Sequence, residues 1–344
     1  MGGDFFMRKS FGTLPSGEET FLYTISCGSI TASVSDYGAS LVSLLTPDQH
    51  GHVSDVVLGY DDCIGYAAGN ACLGATVGRN ANRTGGASFV LNGISYTMSC
   101  NEGKNNLHSG PHFFHKRIWN VECCTDRMVK LTLHSPDGDQ GFPGNACICV
   151  TYSLEADSSL HIIYEGHCDQ DTVFNMTNHS YFNLAGHQHT DLALKQILTL
   201  PARFFTPDDA ENIPTGELRP VDGTPMDFRI PKPICTDISA AYEPLQLQGG
   251  YDHNFEVFCN PCAVLKDPVS GRCMQVLTDC PGIQFYSGNY LNEHGKNGIY
   301  YGKNSGIALE TQFYPDALHH SDWPQPITKA GDLYHSETVY RFTW

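Results

Sequence analysis

Apolar and polar residues alternate along this chain in short runs with a period of two. Ala146-Cys-Ile-Cys-Val-Thr-Tyr-Ser-Leu154 puts Ala146, Ile148, Val150, Tyr152 and Leu154 on one face, the pattern of a half-buried strand. Residues 30–35, 129–135, 160–165 and 338–344 read the same way. Asn92-Gly93 lies between Phe89-Val90-Leu91 and Ile94-Ser95-Tyr96, which predicts a hairpin, because a two-residue turn needs positive φ at both of its central positions. Helical periodicity is scarce: residues 237–242 make a turn or two at most, bounded by Pro244. The 34 glycines and 19 prolines are scattered as punctuation rather than gathered into a linker. Short strands at regular spacing with no break in composition predict an all-β fold, a large antiparallel sandwich or barrel, with residues 1–344 as one domain.

Composition narrows the function classes. At 41% hydrophobic and 17% charged residues, the chain has enough apolar mass for a sizeable core and too little charge for disorder. The 20 Lys+Arg stand against 37 Asp+Glu, a formal charge of −17, and no basic run interrupts the balance. Phosphate and anionic lipid need net positive charge on the contact face, so neither nucleic acid nor membrane is an expected partner. No apolar run approaches the roughly 18 to 20 residues that span a bilayer. Residues 1–10 lack the apolar stretch of a signal peptide, and Phe6 stands where a myristoylation motif after Gly2 wants Ser or Thr. The expectation is a cytoplasmic protein. Fourteen cysteines include a single C-x-x-C, Cys259-Asn-Pro-Cys262. Adding Cys273 and Cys280 gives a spacing that does not suit structural zinc, which leaves buried reduced thiols as the simpler reading. Internal repeats, the phosphate-cradling and dinucleotide loops, H-E-x-x-H and G-x-S-x-G are all missing.

Polar residues among apolar or aromatic neighbours concentrate in six segments. They are Gly78-Arg-Asn-Ala-Asn-Arg83, Asn105-Asn-Leu-His-Ser-Gly110, Thr177-Asn-His-Ser-Tyr-Phe-Asn-Leu184, Gly250-Tyr-Asp-His-Asn-Phe255, Pro281-Gly-Ile-Gln-Phe-Tyr286 and Leu309-Glu-Thr-Gln312. Such a mixture suits a sugar, whose ring faces favour aromatics and whose hydroxyls favour Asp, Asn, Gln, Arg and His. Taken singly, His108 reads equally as a core or turn histidine, His179 as part of a capping run, and Asp252 as a loop-stabilising acid. Glu310 is the most informative: a carboxyl in a buried strand is costly unless partnered, so it needs a raised pKa or a function. Arg79 and Arg83 are either surface charges or, in their Asn/Gly setting, a pair suited to two-point recognition of hydroxyl or carboxylate groups.

In this order the six segments resemble the aldose 1-epimerase (galactose mutarotase) family. The likeness extends over Asp36-Tyr-Gly-Ala-Ser-Leu41, Asp55-Val-Val-Leu-Gly-Tyr60, Ser135-Pro-Asp-Gly-Asp-Gln-Gly-Phe-Pro-Gly144 and Pro315-Asp-Ala317, and so over nearly the whole chain. The resemblance implies a large antiparallel β-sandwich of the galactose mutarotase type with an open cleft, converting the α and β anomers of a free aldohexose such as galactose or glucose. By that resemblance Glu310 is the base on the anomeric hydroxyl and His179 the acid toward the ring oxygen. His108 hydrogen-bonds near the same oxygen, and Asp252, Arg83, Asn82 and Gln284 hold hydroxyls. It implies no metal and no cofactor, a small-molecule sugar as partner, and a monomer or weak homodimer. The sequence departs from the family pattern at Asn80, at Thr84-Gly85, at Ser109 and at His115, which bears on loop shape and on which sugar is preferred.

The chemistry accounts for those residue types. Opening a hemiacetal requires one group to take the O1 proton while another donates to O5, and the two exchange duties when the aldehyde recloses on its other face. A desolvated Glu and an imidazole titrate close enough together to do this near neutrality. Two other readings stay open: a sugar sensor without catalysis, and an epimerase of phosphorylated hexoses that uses Arg79 and Arg83. An inverting glycosidase would need Glu310 and Asp252 opposed at roughly 6.5 to 9.5 Å.

Overall fold

The computed structural model describes residues 8–344, so the expectation attached to the leader falls partly outside the described chain, at residues 1–7. Nine strands form one antiparallel sheet, in the order Asn120–Cys124, Met128–Ser135, Ala146–Leu154, Ser159–Cys168, Tyr334–Thr343, Cys273–Thr278, Ala263–Lys266, Ile197–Thr199 and Lys232–Pro233. The alternation in Ala146–Leu154 is realised residue for residue, with the apolar face buried and the intervening positions only half-buried. The strands Ser159–Cys168 and Tyr334–Thr343 begin or end beyond their apolar patterns, because backbone pairing continues through polar residues such as His167 and Ser336.

Two further sheets cover this one and make the sandwich. The first has five strands, Arg8–Thr13, Glu19–Cys27, Ile30–Ser35, Ser40–Pro47 and Val53–Asp55. It buries Ile25, Ile30, Ala32 and Leu41 in the same core as Leu131, Ile148 and Val150. The second has six, Tyr181–Phe182, Ile307–Gln312, Gly282–Tyr286, Asp252–Glu256, Phe204–Phe205 and Arg219–Pro220. Its Ile283, Phe285, Ile307 and Leu309 share that core with Leu160, Ile162, Val276 and Tyr340, and the Tyr340 hydroxyl donates to the Leu309 carbonyl at 3.1 Å. Each such side chain contributes roughly 1.5 to 3 kcal/mol by leaving water.

The hairpin forms as expected, Ser88–Leu91 with Ile94–Thr97, and Asn92 and Gly93 take φ of 54° and 77°. The helix expectation is corrected. Residues 237–242 are turns, and the helix is Glu243–Gln248 with Pro244 in its first turn. Proline lacks only an N–H that is unpaired there anyway, so it opens this helix instead of bounding one. The helix Cys63–Ala68, capped by the Asp62 carboxylate on Gly65 N at 3.0 Å, carries no periodic signal. Among the described residues no helix is long and apolar enough to cross a membrane. All fourteen cysteines are free thiols, and the exposed Cys259 and buried Cys262 are not bonded to each other.

Candidate active site

The six-stranded sheet is buried on both faces, and the site lies on the face away from the core. In Ile307–Gln312 every residue is buried. Since Ile307 and Leu309 serve the core, the period of two turns Ala308, Glu310 and Gln312 to the other side. Register then assembles a row: Asn254 opposes Gln284, and Gln284 opposes Glu310. The next row holds Asp252, Tyr286, Ala308 and Tyr181. Beside it the short strand Thr177–His179 pairs with Ala75–Val77 and brings His179 over the sheet.

A cavity of about 560 Å3 opens over these rows, lined by Asn82, Arg83, His108, His179, Asp252 and Glu310 together with Tyr181 and Tyr286. Six of the seven residues singled out in the sequence therefore meet in one place. Gln284 is not among the lining residues; it donates from Nε2 to Asp252 Oδ1 at 2.7 Å, which orients that carboxylate.

His179 Nε2 stands 3.6 Å from Glu310 Oε1, close but not hydrogen-bonded, and both side chains are buried. His179 Nδ1 and Glu310 Oε2 have no partner at all. Burial pushes Glu310 well above the carboxylic range; Asp252 adds to this and Arg83 offsets it only in part. Burial pushes His179 down to about 4. The expectation that the two titrate close together near neutrality is therefore corrected: desolvation disfavours both charged forms and drives the values apart. Asp252 is likewise raised by burial, against the pull of Arg83 and Gln284.

His108 is oriented by the backbone. Its Nδ1 accepts from Asn82 N at 3.1 Å while its backbone N–H donates to Asn82 O at 2.9 Å. A neutral imidazole with its lone pair so used carries its proton on Nε2 and offers the cavity an N–H donor. His108, His179 and Glu310 bring donor atoms within 4.8 Å of one another, a spacing a metal ion could use. The His108 tautomer argues against that use: ligation through Nε2 would need the proton on Nδ1, where the Asn82 N–H already donates. Burial and the neighbouring His179 also hold His108 well below the usual histidine range, in keeping with a neutral ring.

The arginine pair read from the sequence comes apart. Arg79 is fully buried and faces no cavity: its guanidinium donates to the carbonyls of Ser135, Pro136, Pro143 and Gly144 and to the Ser135 and Thr172 hydroxyls. Arg83 does reach the cavity, but Glu102 accepts from Nε at 2.7 Å and from Nη2 at 2.9 Å. Burial alone lowers the Arg83 pKa, and Glu102 with Asp252 more than offsets this. The two-point recognition expected of both arginines is therefore spent on the protein itself. Glu102, Asn212 and Glu293 line the cavity and were not singled out in the sequence. The one signal for Glu102 is the turn Asn101-Glu102-Gly103 just before the histidine segment, and turns of that kind abound here.

Three of the departures form one set. Ser109 Oγ accepts from Asn80 N and donates to Asn80 O, each at 2.9 Å, while Asn80 Nδ2 donates to Thr84 Oγ1 at 3.0 Å. They are mutually compensating and lie under the loops that carry Asn82 and His108. His115 is the fourth, with Nε2 3.7 Å from Cys72 Sγ behind the cavity wall.

The family model described as aldose 1-epimerase matches residues 22–341. An aldose 1-epimerase of Haemophilus influenzae is 42% identical over 313 residues, 89% of this chain and 91% of that protein. The galactose mutarotases of Mus musculus and Homo sapiens are each 36% identical over 343 residues, 98% of both chains. Among solved structures, an aldose epimerase homologue from C. elegans superposes with a TM-score of 0.86 at 30% identity, covering 94% of this chain and 99% of that one. Galactose 1-epimerase from Lactobacillus acidophilus gives 0.86 at 26% identity, covering 98% of each.

Proposed function

The chain belongs to the aldose 1-epimerase family, and from that premise we propose that Glu310 and His179 interconvert the α and β anomers of a free aldohexose in this cavity. The observation that carries the assignment is their pairing: a carboxyl and an imidazole 3.6 Å apart, both lining the cavity and not hydrogen-bonded to each other. A binding protein gains nothing from two such groups, whereas an acid–base pair must keep them free for the substrate.

Glu310 as carboxylate takes the O1 proton while His179 as imidazolium gives one to O5, and the ring opens to the aldehyde. The pair is then a carboxylic acid beside a neutral imidazole. Burial favours that same uncharged state, because it penalises the ion pair of the reactant state. The site therefore stabilises the protonation state that accompanies the scarce open-chain sugar, more than the state that accompanies the ring form. Rotation about C1–C2 turns the carbonyl, and the two transfers run backwards on its other face. The His108 N–H assists at the ring oxygen, and Asp252, aimed by Gln284, holds hydroxyls with Asn82 and the free edge of Arg83. No step calls on a cofactor.

In this reading residues 1–344 act as one domain, a monomer or weak homodimer in the cytoplasm, whose partner is a small sugar and not nucleic acid or membrane. The test is polarimetry on freshly dissolved α-D-galactose and α-D-glucose. Wild-type protein should speed the decay of rotation and Glu310→Gln should not; equal rates with both proteins would remove the base assignment.

A further inference from the structure

Arg83 is the only Lys or Arg among the described residues that line the cavity, and its charge invites an anionic substrate. Its geometry refuses one. The Nε and Nη2 donors form the fork that a carboxylate or phosphate takes in two parallel bonds, and Glu102 already occupies both. Nη1 is left, 3.9 Å from Asp252 Oδ2. Glu293 adds another carboxylate to the same lining.

Glu102 is delivered to this position by a built turn. Asn106–Leu107 pairs with Arg83–Thr84, with Leu107 directly opposite Arg83. Asn101 bonds the Leu107 backbone twice, Oδ1 accepting from its N at 2.7 Å and Nδ2 donating to its O at 2.9 Å. Asn105 N donates to Glu102 O at 2.9 Å, and Gly103 takes a φ of 60° to close the turn. The Lys104 ammonium, 2.9 Å from Glu211, ties the turn to the loop that presents Asn212 to the cavity. The turn thus fixes the Glu102 backbone beside Arg83, and from there its carboxylate closes the fork.

We infer that Glu102 determines substrate charge: by closing the Arg83 fork it makes the cavity select uncharged aldoses over sugars bearing a carboxylate or phosphate, and leaves Nη1 for a neutral hydroxyl. This rests on the proposed reading of the cavity as the sugar site. It also explains why an arginine can sit in the site of a neutral substrate without attracting anions from the medium.

The test compares D-galactose with D-galacturonate, which differ at C6 by a carboxylate, in wild type, Glu102→Gln and Glu102→Asp. Wild type should favour galactose in kcat/KM. In Glu102→Gln the preference should move toward galacturonate by at least ~10-fold, the size expected for one added charge-assisted hydrogen bond. KM for galactose should rise, as Arg83 loses its anchor, with kcat changed by less than about 3-fold. The advantage of the anion should shrink with added salt. Glu102→Asp, which keeps the charge, should retain the wild-type preference. A Gln variant whose preference stays within about 2-fold of wild type, or an Asp variant that shifts as far as Gln, overturns the inference. Calorimetric binding of the two sugars gives the same ratio without turnover. Loss of the catalytic reading and loss of the charge filter are thereby seen separately.

Discussion

Arg79 and Glu310 are both ionisable residues in the interior, and their surroundings differ in one respect. Around Arg79 nearly every hydrogen bond is made: its guanidinium reaches four carbonyls and two hydroxyls, and Ser135 in turn donates to Asp139, which also receives Arg117. Around Glu310 and His179 the bonds are left open. The carboxyls record the difference. Burial would raise Asp139, yet Arg117 and Ser135 outweigh it and hold it below the ordinary value, while Glu310 is driven well above. A buried acid that is ion-paired and hydrogen-bonded serves the scaffold; Glu310 and His179 leave bonds unmade where a cavity opens beside them, which marks a site.

The sharpest way to break this contrast is Glu310→Gln. Turnover should fall by roughly 10³ to 10⁴-fold, the upper range for a proton-transferring group. The fold should not suffer. A carboxyl whose folded pKa lies above its unfolded one costs stability as pH rises past the unfolded value, because the unfolded chain ionises first. The amide removes that cost, so Tm at pH 7 should match or exceed wild type, and the difference should vanish at pH 4 and below. A variant that loses stability along with turnover would place Glu310 in the scaffold class.

Arg79→Met should do the reverse. Several carbonyls lose their donor together, which costs roughly 3 to 5 kcal/mol of folding free energy. Urea titration should show the loss, while turnover per folded molecule stays within a few-fold of wild type. An Arg79→Met protein that is fully stable but inactive would put Arg79 back in the substrate site.

This contrast also separates what the sequence made legible from what it did not. The alternation in residues 146–154 marks a strand, because a half-buried strand writes its period directly into side-chain polarity. A buried acid in Leu309-Glu310-Thr311 points to chemistry for the same reason: the cost of burying charge is visible without coordinates. What cannot be read there is which donors a long side chain finds. Arg79 and Arg83 share one motif, yet one reaches into the loop from Ser135 to Gly144 and the other meets Glu102 in a nearby turn, and only the fold decides which. Gln284 is a similar case, since only the structure reveals that its amide serves Asp252. Pro244 shows the local version, where one residue type can end a helix or begin it.

Between the two extremes lie the groups that hold hydroxyls. Asp252→Ala should weaken sugar binding and lower kcat/KM by roughly 10 to 100-fold, the loss of a charge-assisted hydrogen bond made before the transition state as well as in it. Gln284→Ala should follow the same pattern at roughly a third of the effect on a logarithmic scale, because Asp252 remains but is no longer aimed. Unchanged affinity in Asp252→Ala would mean that the carboxylate belongs to the Arg83 network and not to the substrate.

The smallest effect is an absence of change over a stated range. Activity requires one proton shared by Glu310 and His179, so the profile has two limbs that belong to the pair. The pair gains its second proton when His179 protonates with Glu310 still acidic, and burial has moved that step down to about 4. It loses its last proton when Glu310 ionises beside a neutral imidazole, and burial with the Asp252 charge has moved that step well above the usual carboxylic range. Both displacements widen the window in which one proton is held. Across the middle of that window kcat/KM should vary by less than about 2-fold, with the acid limb falling toward pH 4 rather than at the ordinary histidine value near 6.5. A solvated pair with satisfied hydrogen bonds would show the opposite order, the carboxylate ionising first and the imidazolium losing its proton near 6.5. An alkaline limb at 6.5 in the measured profile would therefore mean that the two groups are not desolvated together, and the distinction between the open site and the closed scaffold would fail at its centre.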